Sequence, residues 1–213
     1  MIKLFIANTF VKWFKQIGIF GWVRFRILRL AYYIFWQNSP RIGEWSFILQ
    51  YLQPLRDWQK PVWVLDVGAT ESLLVYELEH RGYNVTALDQ RPYQERLPYP
   101  IMFWQADISS ERMTEQTEFY DYIVAVSAIE HIGLGAYNDP KSEGGDYNAV
   151  KNIHRLLAKT GYFICTVPNK HLGTETGRGY SYQNFKKLID GLFDIYELTE
   201  RSGQLCVVLV KKP

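Results

Sequence analysis

From residue 61 onward, short apolar runs alternate with stretches of helical spacing. Residues 62–66 read as a buried strand, 85–89, 102–106 and the nearly all-apolar 122–127 as three more, and 162–167, halted by Pro168, as a fifth. Residues 72–81 carry Leu73, Leu74 and Leu78 at helical spacing and stop at Gly82. A second helix is predicted over 148–157, closed by the turn Lys159-Thr160-Gly161, and a third over 181–189 with Ser181 as its N-cap. The last two strands, 193–198 and 205–210, are separated only by 199–204, so they should form an antiparallel hairpin. Strands that alternate with helices predict an α/β fold. We expect a Rossmann-like, seven-stranded, mostly parallel sheet with helices on both faces and the hairpin at one edge. Residues 132–146, rich in Gly, Asp and Asn, form a long loop after a central strand, where loops are usually functional.

The first third of the chain has a different texture. Residues 2–36 are dense in Phe, Trp, Tyr, Ile and Leu, and Arg24, Arg26 and Arg29 interrupt them. No run reaches the roughly 18–20 apolar residues that cross a bilayer, and no small-residue cleavage site marks a signal peptide. The pattern predicts helices lying in a membrane interface, broken near Gly18 and Gly21. An extension packed on the domain or in a dimer is the other reading. Pro40 and Gly43 mark the change of texture, and 46–52 reads as a further short helix. The expected organisation is a basic aromatic helical extension over 1–57 and one domain over 58–213.

Charge follows the same division. Lys3, Lys12, Lys15, Arg24, Arg26, Arg29 and Arg41 give residues 1–43 a charge of +7 with no acid, out of a net +2, leaving −5 on the rest. A mildly acidic domain argues against a broad nucleic-acid face, whereas residues 1–43 suit an anionic membrane surface. Cys165 and Cys206 sit in apolar runs and read as core residues of a reduced, intracellular protein.

In open α/β sheets ligands bind beyond the carboxyl ends of the strands. The residues there are Asp66, Gly68 and Ala69, then Asp89 and Gln90, then Asp107 and Ile108, then Ser127, Ala128, Glu130 and His131. The first turn, V-L-D-V-G-A-T-E-S-L-L, has one glycine, two acids and no lysine. It lacks the G-x-G-x-x-G fingerprint, and a pyrophosphate would meet negative charge there. A zwitterionic or cationic ligand carrying adenosine suits it better. Asp89, 21 residues after Gly68, is placed to accept from ribose hydroxyls, and Asp107 to accept from an adenine amino group.

The order V-L-D-V-G, A-L-D, A-D-I and V-S-A-I-E-H-I resembles the class I S-adenosylmethionine-dependent methyltransferases over residues 61–210. The segments S-A-I-E-H-I-G-L-G-A-Y and G-G-D-Y-N-A-V-K-N-I-H-R-L-L resemble a bacterial subgroup linked to polysaccharide or cell-surface biosynthesis. The resemblance implies S-adenosylmethionine as cofactor. Asp66 and Gly68 would line its methionine end, Asp89 would hold its ribose, Asp107 and Ile108 would flank its adenine, and Ser127 and Ala128 would pass near its sulfonium, with Ala69 and Gln90 as further cofactor-binding positions. Thr70 and Ser72 replace the family's further glycines, so the turn must avoid positive φ there.

For a hydroxyl acceptor, His131 and Glu130 are the candidates to take its proton or orient it. The resemblance also suggests a metal reading, in which Glu-x-x-Glu-His holds a divalent ion. Ser127 stands at its first position, with His171 as a further ligand, so no metal is assigned. Tyr137, Asp139, Asp146 and Tyr147 frame the long loop, and Arg178, Tyr180 and Tyr182 are placed to line an acceptor pocket. The expected function is O-methylation of a glycan, glycolipid or related small molecule by a cytoplasmic protein peripheral at the inner membrane face. RNA or quinone-like acceptors, or a non-catalytic scaffold, are the alternatives.

Overall fold

The computed structural model describes residues 40–55, 60–72, 74–92, 101–111, 113, 117–138, 141–170 and 173–212. Most of the expected extension, the boundary between residues 57 and 58, Asp139 and His171 lie outside the described residues. The elements are α1 (Pro40–Tyr51), β1 (Trp63–Val67), α2 (Leu74–His80), β2 (Asn84–Asp89), β3 (Met102–Gln105) and β4 (Tyr120–Val126). After these come α3 (Gly145–Leu156), β5 (Leu157–Pro168), α4 (Tyr182–Leu188), β6 (Phe193–Arg201) and β7 (Gln204–Lys211).

All seven strands join one sheet in the order β3-β2-β1-β4-β5-β7-β6. The strands from β3 to β5 pair in parallel, and β7 runs antiparallel between β5 and β6. This is the expected Rossmann-like fold with its terminal hairpin. Two-residue periodicity sorts each central strand onto two cores. Leu65, Val67, Ile123, Ala125, Phe163 and Cys165 face α3 and α4 through Val150, Ile153, Leu156 and Phe185. Val64, Val85, Ala87, Val124, Ile164 and Cys206 face α1 and α2 through Phe47, Ile48, Leu74 and Leu78. Both cysteines are buried and free. Burial pushes both thiols up, Cys206 to about 11.

Several boundaries differ from the expected ones. Strand β1 runs one residue further, so Asp66 lies inside it, in register with Ala87 and Val124. Helix α3 starts earlier, at Gly145, after Gly144 turns the chain at φ 69, and so absorbs the end of the expected loop. The hairpin is tighter than 199–204: Arg201 pairs with Gln204, and Ser202 and Gly203 take φ 50 and 77. Two positive φ values are what a two-residue hairpin turn requires.

Residues 40–51 had been grouped with the extension, yet they form α1 and pack into the sheet. Pro40 suits a first helical turn, where its missing N–H leaves no bond unmade. At the other end, the Arg81 guanidinium donates to the carbonyls of Leu49 and Leu52 at 3.1 and 2.8 Å and pairs with Glu77 at 3.0 Å. Those carbonyls have no partner within a helix, so Arg81 ties α1 to α2. Among the described residues no helix is long and apolar enough to cross a membrane.

Candidate functional site

The strand order reverses between β1 and β4, and a cavity opens at their carboxyl ends. That position is where open α/β sheets bind small molecules. Of the residues expected there, Gly68, Asp89, Gln90, Asp107, Ile108, Ser127, Ala128 and His131 line it. Asp66, Ala69 and Glu130 do not; they are buried at 1%, 0% and 2% exposure behind the wall. Asp66 lies inside β1 and shares the α1 face of the sheet with Val64, while Val67, on the opposite face, meets the cavity. Arg41, Arg91, Tyr137 and Ile132 complete the lining.

The turn after β1 is built on Gly68, whose φ and ψ of 79° and 38° are left-handed. Its N–H donates to Leu88 O at 2.8 Å, which joins the turn to β2. Thr70 and Ser72, where the family pattern has glycine, are not among the residues with positive φ. The Thr70 N–H instead donates to Asp89 Oδ2 at 3.0 Å, and Ser72 Oγ accepts from the Leu74 N–H at 3.1 Å. The substitutions therefore cost the turn no strain.

Asp89 ends β2. Burial alone would raise its carboxyl, but hydrogen bonds from Arg91 and Thr70 hold it below the usual value. Asp107 Oδ1 accepts from Ser109 N and Oγ at 2.8 and 2.7 Å, a local turn that fixes the carboxylate at the cavity wall.

Ser127 follows β4 at φ 45, a conformation disfavoured for a residue with Cβ. Its surroundings hold it there. Its N–H donates to Thr166 O and Oγ1 at 3.1 and 3.0 Å. Its hydroxyl donates to Glu44 Oε1 at 2.5 Å, and Thr166 Oγ1 donates to the same oxygen at 2.6 Å. Glu44 is 1% exposed and comes from α1, as does Arg41, so this helix supplies both a wall and an anchor of the site.

Behind the wall lies a group of buried acids. Burial pushes Asp66 up to about 7, opposed by a Ser72 hydrogen bond, reinforced by Asp89 and eased by Arg41. Burial pushes Glu130 up to about 8, reinforced by Glu44 and eased by Arg41 and Ser127. Asp66 Oδ2 and Glu130 Oε2 have no hydrogen-bond partner among the described residues. A buried carboxyl that cannot find a partner stays protonated until well above its ordinary range.

His131 is oriented from outside the strand. Its Nδ1 contacts the Thr176 carbonyl, which only accepts, so Nδ1 carries a proton. Nε2 lies 3.9 Å from Glu130 Oε1. The segment that carries Thr176 is itself fixed, since Arg178 N donates to Glu130 O at 2.9 Å and Arg178 Nη1 to Ile132 O at 2.6 Å. Among the described residues no group of three His, Cys, Asp or Glu is placed to hold a metal ion.

A second, more open hollow of about 950 Å³ adjoins the loop after β4. Asp146, Tyr147, Arg178 and Tyr180 line it, whereas Tyr182 does not. Tyr180 donates to Asp146 Oδ2 at 2.8 Å, and Arg178 pairs with the same oxygen at 3.3 Å. Sequence reasoning found these aromatic and charged residues. It missed Arg41, Glu44, Arg91 and Thr166. A signal for Glu44 was available: it is the first acidic residue of the chain.

The residues present suit S-adenosylmethionine. A Cβ on Gly68 would fill the cradle, 2.8 Å from Ala128 Cβ. The carboxylates of Asp89 and Asp107 face it beside apolar Leu88 and Ile108, which matches a ribose and a base.

Comparison with known proteins agrees. The family described as a methyltransferase domain matches residues 40–201. No curated protein matches the chain. Among solved structures, the chain is similar to 1,6-didemethyltoxoflavin-N1-methyltransferase of Burkholderia thailandensis, solved with 1,6-didemethyltoxoflavin and S-adenosylhomocysteine. Identity is 16%, TM-score 0.63, and the match covers 84% of this chain and 81% of that one. It is also similar to a TehB-like SAM-dependent methyltransferase of Corynebacterium glutamicum, at 20% identity, TM-score 0.58, and 85% and 96% coverage. A third is PH0226 of Pyrococcus horikoshii, at 15% identity, TM-score 0.61, and 81% and 90% coverage. At such identities these likenesses bear on the fold, while the family match spans most of the sequence and begins with α1. The chain belongs to the methyltransferase-domain family.

Proposed function

We propose that the chain O-methylates a hydroxyl of a glycan, glycolipid or related small molecule at the cytoplasmic membrane face. The cofactor is S-adenosylmethionine, which when bound supplies an electrophilic methyl group on its sulfonium. Asp89 and Gln90 would hold its ribose, Asp107 and Ile108 its adenine, and Gly68, Ser127 and Ala128 its methionine end. The protein's own work is to align, exclude water and move one proton. His131 carries that last step. Its Nδ1 is committed to the Thr176 carbonyl, which leaves Nε2, 3.9 Å from Glu130 Oε1, as the ring nitrogen that would take the proton of an acceptor hydroxyl. Glu130, buried beside that nitrogen, would hold the imidazole in place.

The His131 imidazole in the cavity lining, oriented by its Nδ1 contact with the Thr176 carbonyl, is the observation that supports an O-methyl reading. The basic aromatic segment over 1–39 supports the location, because a lipid-linked acceptor would be presented at the surface that segment suits. The test supplies labelled S-adenosylmethionine and a cell-envelope extract to the full chain and follows labelled products by mass spectrometry. His131→Asn is expected to slow transfer by about 10²–10⁴-fold with cofactor affinity unchanged. Transfer at the wild-type rate by His131→Asn would remove the base. Equal flotation of the full chain with anionic and zwitterionic vesicles would remove the membrane role.

A further inference from the structure

Arg41 lines the cavity from the first turn of α1 and is half-buried there. Glu44 follows it by three residues and so shares its face of the helix. Glu44 Oε1 accepts from the Ser127 hydroxyl at 2.5 Å, so that face is turned to the carboxyl end of β4. Arg41 thus stands at the β4 end of the cavity, whereas Asp89 ends β2 and Asp107 follows β3.

The strand ends succeed one another in the order β3, β2, β1, β4. With its adenine at Asp107 and its ribose at Asp89, S-adenosylmethionine would carry its methionine moiety past Gly68 toward Ser127. The terminal carboxylate of that moiety is the one anionic group of the cofactor. A half-buried guanidinium has lost part of its hydration and gains from a fixed anion. Among the described residues none forms an ion pair with Arg41. Asp66 and Glu130, the carboxyls that sense its charge, are pushed up by burial to about 7 and about 8, and a protonated carboxyl is no counter-charge. Glu44 Oε1 is committed to the hydroxyls of Ser127 and Thr166. A planar guanidinium and a carboxylate match as a two-pronged pair.

We propose that Arg41 receives the carboxylate of the cofactor's methionine moiety, which makes α1 a part of the cofactor site. This rests on the placement of ribose at Asp89 and adenine at Asp107. The full chain is titrated calorimetrically with S-adenosylmethionine and with its decarboxylated analogue, which differ only in that group. Wild type is expected to prefer the carboxylate-bearing ligand by about 10–100-fold, the range for hydrogen bonds between charged groups. Arg41→Ala should remove most of that preference by weakening S-adenosylmethionine and sparing the analogue. Arg41→Lys, which keeps the charge and loses the fork, should fall between. Arg41→Gln carries the same reading if the alanine variant does not fold. Asp89→Ala should weaken both ligands alike. A wild type that binds both ligands equally, or a preference that persists in Arg41→Ala, overturns the role of Arg41 and leaves the cofactor placement standing. Asp89→Ala that weakens neither ligand overturns the placement and the role of Arg41 with it.

Discussion

Gly68→Ala probes the turn on which the cavity is built. Two separate costs can be worked out from the structure. The first is backbone: at φ 79 an L-residue pays for the left-handed region, about 1–2 kcal/mol. The second is packing: the new Cβ would sit 2.8 Å from Ala128 Cβ, inside any normal contact. Overpacking of this kind costs about 1–3 kcal/mol. The sum, about 2–5 kcal/mol, is a large share of the roughly 5–15 kcal/mol that stabilises an ordinary domain.

Urea unfolding of the full chain reads the total. A double-mutant cycle with Ala128→Gly separates the parts, because the second change removes the methyl that the first one strikes. The packing part should be recovered in the double variant, and the backbone part should remain. Affinity for S-adenosylhomocysteine should fall in Gly68→Ala, since relief of the clash moves Ala128, which lines the cavity. A loss below about 0.5 kcal/mol, the range of neutral surface changes, would refute the geometry of the turn. So would losses that simply add, because contact between the two residues is the premise.

Two further outcomes follow from the buried acids. Glu44→Ala leaves the hydroxyls of Ser127 and Thr166 without their acceptor and should destabilise by about 2–4 kcal/mol, whereas Glu44→Gln keeps an acceptor oxygen and should recover most of it; urea unfolding of the pair checks this, and equal losses would deny the hydrogen bonds their role. Asp66, raised from 3.8 to about 7, keeps in the folded chain a proton that the unfolded chain releases. Its contribution is complete below the unfolded value and is lost as pH rises through the folded one, at up to about 1.4 kcal/mol per pH unit. Glu130, raised to about 8, extends the same trend upward. Unfolding measured across that range should show stability falling with pH, less steeply in Asp66→Asn, and a rising curve would contradict both shifts.

The parts of this protein legible in its sequence are those set by local rules. Apolar runs of β-strand length place β1, β2 and β4 to within two residues, because buried parallel strands need continuous hydrophobicity, whereas β5 begins at Leu157 and takes in the turn expected at 159–161. Ser181 was legible as a cap, and it accepts from Asn184 N at 3.3 Å. Asp89, Asp107 and Ser127 were legible as site residues because a strand's carboxyl end points at the ligand whatever else the fold does. Errors at strand ends were small in count and large in meaning. Asp66 reads as a residue of the ligand-binding turn, yet it lies inside β1 and takes the α1 face with Val64, since strand side chains alternate.

What the sequence hid is contact between distant segments. Glu44 and Ser127 are 83 residues apart and Glu44 and Thr166 are 122 apart, so no window contains the network that holds Ser127 at positive φ. The acid-free composition of residues 1–43 drew α1 toward the extension, although α1 carries Arg41 and Glu44 into the site. This placement has a consequence for the whole chain. The basic segment proposed to meet a membrane surface precedes, in sequence, the helix that contributes Arg41 to the cavity wall. A displacement of α1 by about one ångström would alter Glu44, and through it Ser127, at the scale on which active-site misplacement becomes costly. The segment outside the described residues and the site are thus joined by one short helix. Its hold on the sheet depends on Arg81, Phe47 and Ile48 as much as on anything in the cavity itself.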